Sequence, residues 1–188
     1  MSTLSHIQEE AVRLDVAIYA AIAQTPTPTL DRAMARLSRA ANYSRLSIAA
    51  AGLLAVAGGS SGRRAAKLGL ASVAATATIV NLAVKPIRRR TRPDRAAHEV
   101  PLARHVRMPI SSSFPSGHSA AAFAFATGVG RVSPIAAAPL YGLAALVAYS
   151  RVHTGVHYPG DVIVGSLLGV AVGQATANLT DGFLARPD

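Results

Sequence analysis

Three short polar segments of the 188-residue chain carry the side chains that could do chemistry. The first, Lys85-Pro-Ile-Arg-Arg-Arg-Thr-Arg92-Pro93, follows directly on an apolar run and gathers cations. The second, Phe114-Pro115-Ser116-Gly117-His118, precedes the helical run SAAAFAFATG. Pro at a helix start, then Ser and Gly, leaves free backbone N–H groups and the positive end of the helix dipole beside an imidazole, which suits an anion. The third runs Ser150-Arg151-Val-His153-Thr-Gly-Val-His157-Tyr158-Pro159-Gly160-Asp161. His157 and Asp161 have the spacing of one face of a helical turn, although Pro159-Gly160 interrupts regular helix before Asp161. A carboxylate on one ring nitrogen fixes the tautomer and raises the nucleophilicity of the other.

Taken singly, each segment has a bland alternative. The basic run reads equally as a juxtamembrane cluster on anionic lipid, PSGH as a turn with an N-cap Ser, and His157–Asp161 as a helix-end contact. Together they supply Lys85, Arg92 and Arg151 for negative oxygens, a helix N-terminus at Ser116–Gly117, and the separate histidines His118 and His157. That is the inventory for phosphoryl transfer through a phosphohistidine: a nucleophile, an acid for the leaving oxygen, and cations on the equatorial oxygens. The acidic residues are too few and scattered for a two-metal site, so neither metal nor cofactor is expected.

The elements that must position these residues are apolar. Lys+Arg number 19 against 9 Asp+Glu, a formal charge of +10, yet 51% of residues are hydrophobic, 15% are charged and mean hydropathy is +0.32. This excludes a disordered basic tail and argues against a nucleic-acid-binding domain; the basic run also lacks interleaved aromatics. Without cysteine there is no disulfide, iron–sulfur cluster or thiol nucleophile. The N-terminus carries Glu9, Glu10 and Asp15 among its apolar positions and does not read as a cleavable signal peptide.

Apolar residues at Ile7, Ala11, Leu14, Ile18 and Ile22 predict an amphipathic helix over Leu4–Ala23. After the break Thr25–Asp31, an Arg-dotted helix is expected over Leu30–Ala41. Apolar stretches then follow at Leu46–Gly59, Ala65–Val84, Ser119–Gly130, Val132–Tyr149 and Val162–Ala177, separated by breaks such as SSGRR. They give about five membrane spans, six if the N-terminal region adds one, with buried helices of a soluble all-α bundle as the alternative. Gly165, Gly169 and Gly173 suit tight helix packing. The expected organisation is N-terminal amphipathic helices over 1–45, a membrane-embedded core over 46–178 and a tail over 179–188. All three polar segments then fall on one membrane face, with Arg63, Arg64, Lys67, Arg131 and Arg186 on the other.

Lys85, six residues and Arg92-Pro93, then Pro115-Ser116-Gly117-His118, then Ser150-Arg151, five residues, His157, three more and Asp161 resembles the complete three-part signature of the type-2 phosphatidic acid phosphatase (PAP2) superfamily. The motifs span Lys85 to Asp161, the helices Ala65–Ala177 surround them, and Met1–Arg45 lies outside the resemblance. The resemblance implies an all-α, multi-pass membrane bundle of the PAP2 and vanadium haloperoxidase-like fold, and a hydrolase for the terminal phosphate of a phospholipid or polyprenyl (di)phosphate. It implies that His157 attacks phosphorus, Asp161 orients it, and His118 protonates the leaving alcohol and later activates water. Lys85, Arg92, Ser116, Gly117 and Arg151 would bind phosphoryl oxygens. It also implies a plasma-membrane protein with its site facing outward. Arg88, Arg89, Arg90, Arg104 and Arg107 lie outside the signature and read as a positive funnel or as solvated charge; His153 and His105 read as structural. The alternatives are a soluble or peripheral acid phosphatase, a haloperoxidase holding vanadate, and a non-catalytic membrane protein whose basic loops recruit anionic lipid or nucleic acid.

Overall fold

A computed structural model describes residues 3–184, which form seven α-helices and no strand. Helices α1 (Thr3–Gln24) and α2 (Pro28–Ala40) are followed by a tight turn at Asn42–Ser44 and by α3 (Arg45–Ala57). Helix α4 starts at Gly59 and continues from Thr78 through a wide π-helical turn, Ile79–Val84, to end at Ile87. After a long connector come α5 (Gly117–Val132), α6 (Pro134–His153) and α7 (Pro159–Leu184).

Two boundaries differ from expectation. The SSGRR segment does not separate two helices but forms the first turns of α4, and the chain instead turns at Gly58-Gly59, where Gly59 has φ +59°. Gly62 makes this possible, because a Cβ there would stand 2.1 Å from the Leu54 carbonyl oxygen of α3. Likewise α6 runs on to His153, so Arg151 is helical and only residues 154–158 connect it to α7. Helix α7 passes residue 178 without interruption. Arg186 lies outside the described residues.

Helix α5 lies at the centre, packed against α4, α6 and α7. Small residues set how close the helices come. A Cβ on Gly165 or Gly169 of α7 would lie 2.6 or 2.1 Å from the carbonyl oxygens of Ser116 and Ala120 on α5. On the other side Phe125 and Val129 fill the core with Ala51, Ala65, Ala66 and Val73. Outward-facing residues are often large and apolar, as at Val56, Ile135 and Leu167. Helices over Gly59–Ile87, Pro134–His153 and Pro159–Asp181 are long and apolar enough to cross a membrane. The other two expected spans are shorter, at 13 residues in α3 and 16 in α5.

The N-terminal helices are fastened by Arg104. This side chain is wholly buried; it donates to Asp31 Oδ1 at 2.7 Å and to the carbonyls of Ile22, Ala23 and Thr25 at the end of α1. His153 Nε2 lies 2.9 Å from the same Asp31 oxygen. Burial pushes the Asp31 carboxyl up, but hydrogen bonds from Thr27, His153 and Arg104 outweigh it and hold the group below its ordinary value. Arg104 is therefore neither funnel nor solvated charge; it clamps α1 and α2 to the bundle.

Candidate active site

The end of α4, the start of α5 and the α6–α7 connection meet at one end of the bundle. At the opposite end Arg64 and Arg131 both reach Asp181, at 3.3 and 2.9 Å.

The wide turn before Lys85 redirects the last residues of α4. Lys85 Nζ donates to Ser111 Oγ at 3.3 Å and faces the start of α5, where a Cβ on Gly117 would be 3.8 Å away. Arg92 donates to the carbonyls of Ser111, Val156 and Ser112 at 3.1, 2.6 and 3.2 Å, and to His157 Nε2 at 3.2 Å. Arg151, 1% exposed, donates to Ser38 Oγ at 2.6 Å, while its Nε is buried with no hydrogen-bond partner. Among the described residues none of these three cations forms an ion pair with a carboxylate. Arg151 is buried and Lys85 and Arg92 are half-buried, and cations held only by neutral acceptors leave a concentration of positive charge that an anion would neutralise.

A guanidinium has donors only, so the contact from Arg92 makes His157 Nε2 an acceptor and puts the imidazole proton on Nδ1. Nδ1 lies 3.5 Å from Asp161 Oδ2. Asp161 is itself held on all sides: Oδ2 accepts from the Tyr158 N–H at 2.9 Å and from the Ser113 hydroxyl, and Oδ1 accepts from Arg90 at 2.8 Å. Burial, reinforced by Arg92 and Arg151 and only partly offset by the bond to Asp161, pushes the His157 imidazole down from 6.5 to about 4. The ring is thus neutral at physiological pH, with an unprotonated Nε2 aimed at the cations.

Ser116 caps α5. Its Oγ accepts from the Ser119 N–H at 3.5 Å, and its own N–H donates to the Asp161 carbonyl at 2.9 Å. The N–H groups of Gly117 and His118 follow in the first turn, where a helix has no internal acceptors for them. His118 Nε2 lies 3.0 Å from Asn42 Oδ1, within electrostatic reach of Arg151, His157, Lys85 and Arg92. Beside it opens a cavity of about 200 Å³, walled by Leu46, Val80, Ala121, Ala122 and Val147 and edged by Lys85 and Gly117.

All eight residues singled out from the sequence therefore gather at one end of the bundle. Several supporting residues escaped that reading. Ser113 is in a serine run just before PSGH, and Arg90 stands among the arginines that read as a funnel or as solvated charge; in the structure Arg90 bridges Asp161 and Asp15 of α1, the latter at 2.7 Å, and lies over the Tyr158 ring. Ser38 and Asn42 come from the N-terminal segment, where nothing local signals a role.

Comparison with known proteins gives this arrangement its relatives. The decaprenylphosphoryl-5-phosphoribose phosphatase of Mycobacterium tuberculosis (strain CDC 1551 / Oshkosh) is 39% identical over 100 residues, 53% of this chain and 52% of that protein. The undecaprenyl-diphosphatase of Sulfolobus acidocaldarius is 43% identical over 67 residues, 32% of this chain and 30% of that one. The chain thus spans about half the length of the mycobacterial relative it matches, 52%. Among solved structures, Aquifex aeolicus LpxE superposes with a TM-score of 0.71 at 25% identity, covering 88% of this chain and 95% of that one. A transmembrane PAP2-type phosphatidylglycerolphosphate phosphatase from Bacillus subtilis gives 0.69 at 24% identity, covering 92% and 87%, a likeness of fold. Residues 66–183 match the PAP2 superfamily, the stretch that holds every motif and the four central helices, and the chain belongs to that superfamily as an all-α membrane bundle.

Proposed function

We propose that this protein is an integral-membrane lipid phosphatase that removes the terminal phosphate of a polyprenyl or phospholipid (di)phosphate through a phosphohistidine. The observation that carries this reading is that Arg92 donates to the unprotonated Nε2 of His157 at the same end of the bundle as Lys85 and Arg151, and that none of the three cations has a carboxylate partner among the described residues. The relatives named above act on lipid-linked phosphates by their names, which agrees with this reading.

In the first step His157 Nε2 bonds to phosphorus and the bond from phosphorus to the lipid oxygen breaks. The three cations, with the Gly117 and His118 N–H groups, hold the equatorial oxygens. Burial, reinforced by Arg151, Lys85 and Arg92, holds the His118 imidazole down to about 3 from 6.5; a bound dianion offsets those cations and raises it, so that His118 can deliver a proton to the departing alkoxide. Asp161 keeps the Nδ1 proton of His157 in place and stabilises the ring as it becomes cationic. His118 then takes a proton from water, whose oxygen bonds to phosphorus as the P–N bond breaks, releasing phosphate and restoring His157. The apolar walls beside His118 receive the lipid end of the leaving alcohol. No step uses a metal, since protein cations supply the charge and the oxygens of Asp161 are already engaged. We place the enzyme in the plasma membrane with its site facing outward.

The test is phosphate release by the detergent-solubilised full chain over a panel of phosphatidic acid, phosphatidylglycerophosphate, polyprenyl diphosphate and polyprenyl sugar phosphates, with and without EDTA. Release from at least one lipid, unchanged by EDTA and abolished in His157→Ala, is expected. Normal turnover by His157→Ala would overturn the mechanism, and loss of activity with EDTA would overturn the metal-free reading.

A further inference from the structure

A second recess lies apart from the cavity at His118. It is a groove of about 910 Å³ between α1, the last turn of α4 and the first turns of α7, and it shares no lining residue with the other cavity. Helix α1 explains it. The C-terminal half is packed into the core through Tyr19 and Ala23, while Val12 and Leu14 in the other half stay exposed, so α1 stands off from α7 over its first half. The walls of the groove are Leu14, Ile18, Ile87, Ile163 and Val164, and Leu14, Ile87 and Ile163 are 62%, 78% and 60% exposed.

The rim has the opposite character. Arg88 and Arg89 line the groove, are exposed, and their side chains have no hydrogen-bond or ion-pair partner among the described residues. They directly follow Ile87, the last residue of a helix apolar enough to cross a membrane. Two free guanidinium groups therefore stand where hydrocarbon gives way to water, at the mouth of an apolar trench that runs back along α7. A guanidinium binds phosphate oxygens in a two-pronged fashion. Arg90, at the inner edge, is already committed to Asp15 and Asp161, and neither catalytic histidine lines the groove.

We propose that this groove binds an anionic diester phospholipid, with its phosphate on Arg88 and Arg89 and an acyl chain between α1 and α7. The charge of the rim selects an anionic headgroup, the apolar walls select a chain, and the absence of His118 and His157 from the lining makes the occupant a retained lipid, not a substrate. The inference rests on the membrane reading of α4 and α7, and it stands whether or not the chain hydrolyses lipid phosphates.

The test uses the full chain in a zwitterionic detergent, with Gln8→Cys at the groove as the only cysteine, carrying a small fluorophore. It is titrated with spin-labelled phosphatidylglycerol and, separately, spin-labelled phosphatidylcholine. Half-maximal quenching is expected at about thirtyfold less phosphatidylglycerol, in line with about 1 kcal/mol for each of two basic side chains near an anionic headgroup. The preference should vanish in Arg88→Gln/Arg89→Gln and persist in saturating vanadate. Equal quenching by the two lipids, or a preference that survives the double substitution, would overturn the proposal. Loss of the preference in vanadate would move the lipid to the catalytic pocket, and absence of quenching with a dimeric species would make the occupant a second copy of the chain; either overturns it.

Discussion

His118 Nε2 is bound by Asn42 Oδ1 at 3.0 Å, although Asn42 lies outside the matched stretch 66–183. The contact depends on an unusual turn: Tyr43 and Ser44 both have left-handed backbone, φ 56° and 55°, without being glycine. Because the amide oxygen can only accept, it keeps a proton of His118 on Nε2 and fixes the orientation of the ring. Asn42→Ala should lower kcat by about tenfold or more with a smaller effect on KM, the behaviour of a lost proton-transfer geometry. Asn42→Asp, which retains an acceptor, should recover most of the rate. Steady-state kinetics of the two variants checks this, and an effect confined to KM would contradict it.

The pH dependence follows from His157. In the proposed mechanism attack needs the neutral ring, and burial together with Arg92 and Arg151 pushes its protonation down to about 4 from 6.5. Activity should therefore persist below pH 6 and fall with a midpoint near 4. Profiles of kcat/KM for two substrates whose phosphates titrate at different pH separate the limbs. The limb common to both belongs to the enzyme, and a common limb near 6.5 would show that burial does not depress His157.

Arg90 joins Asp161, the partner of His157, to the N-terminal helix, since Asp161 and Asp15 both bind it and Asp15 also accepts the Gly160 N–H at 2.6 Å. Asp15→Ala removes an ion pair and a backbone acceptor from a half-buried site. It should cost about 1–2 kcal/mol of stability, discounted for the exposure of Arg90, and several-fold in kcat. Thermal unfolding in detergent and kinetics at saturating substrate measure the two effects.

Orientation is accessible to labelling because the chain has no cysteine. Gly62 is unsuitable, since a Cβ there meets the Leu54 carbonyl at 2.1 Å, but Ser61 beside it is exposed at the end of the bundle away from the site. With an outward-facing site, Ser61→Cys should react with a membrane-impermeant maleimide only after the cells are opened. Labelling of intact cells would reverse the orientation.

The catalytic-type residues were legible because their chemistry is fixed by short offsets within three segments, and a helix start or a four-residue spacing carries geometry locally. The supports were not, because they arise from contacts across the fold. Ser38 reaches Arg151 from 113 residues away and Asn42 reaches His118 from 76. Arg104 shows the same limit from the other direction: a basic residue in a basic stretch reads as surface charge until Asp31 and the end of α1 are seen around it. Helix boundaries failed where packing outvoted polarity, as at SSGRR, which is helical because Gly62 lets α4 press on α3.

The Ser116 N–H to Asp161 carbonyl bond and the seat of Gly165 under the Ser116 carbonyl join the start of α5 to the start of α7 through main-chain atoms. The separation between the N-terminus of α5 and Asp161, the partner of His157, is therefore fixed by backbone, which side-chain exchange elsewhere does not alter. In the proposed reading the lipid end of a substrate meets Val80, Ala121, Ala122 and Val147 of the shared core together with Tyr43, Ser44, Leu46 and Ser47, which lie outside it. Selectivity then has a part that varies separately from the chemistry, so exchanging residues 45–54 between superfamily members, with Ser38 and the Asn42–Ser44 turn retained for Arg151 and His118, is a route to retargeting the proposed activity.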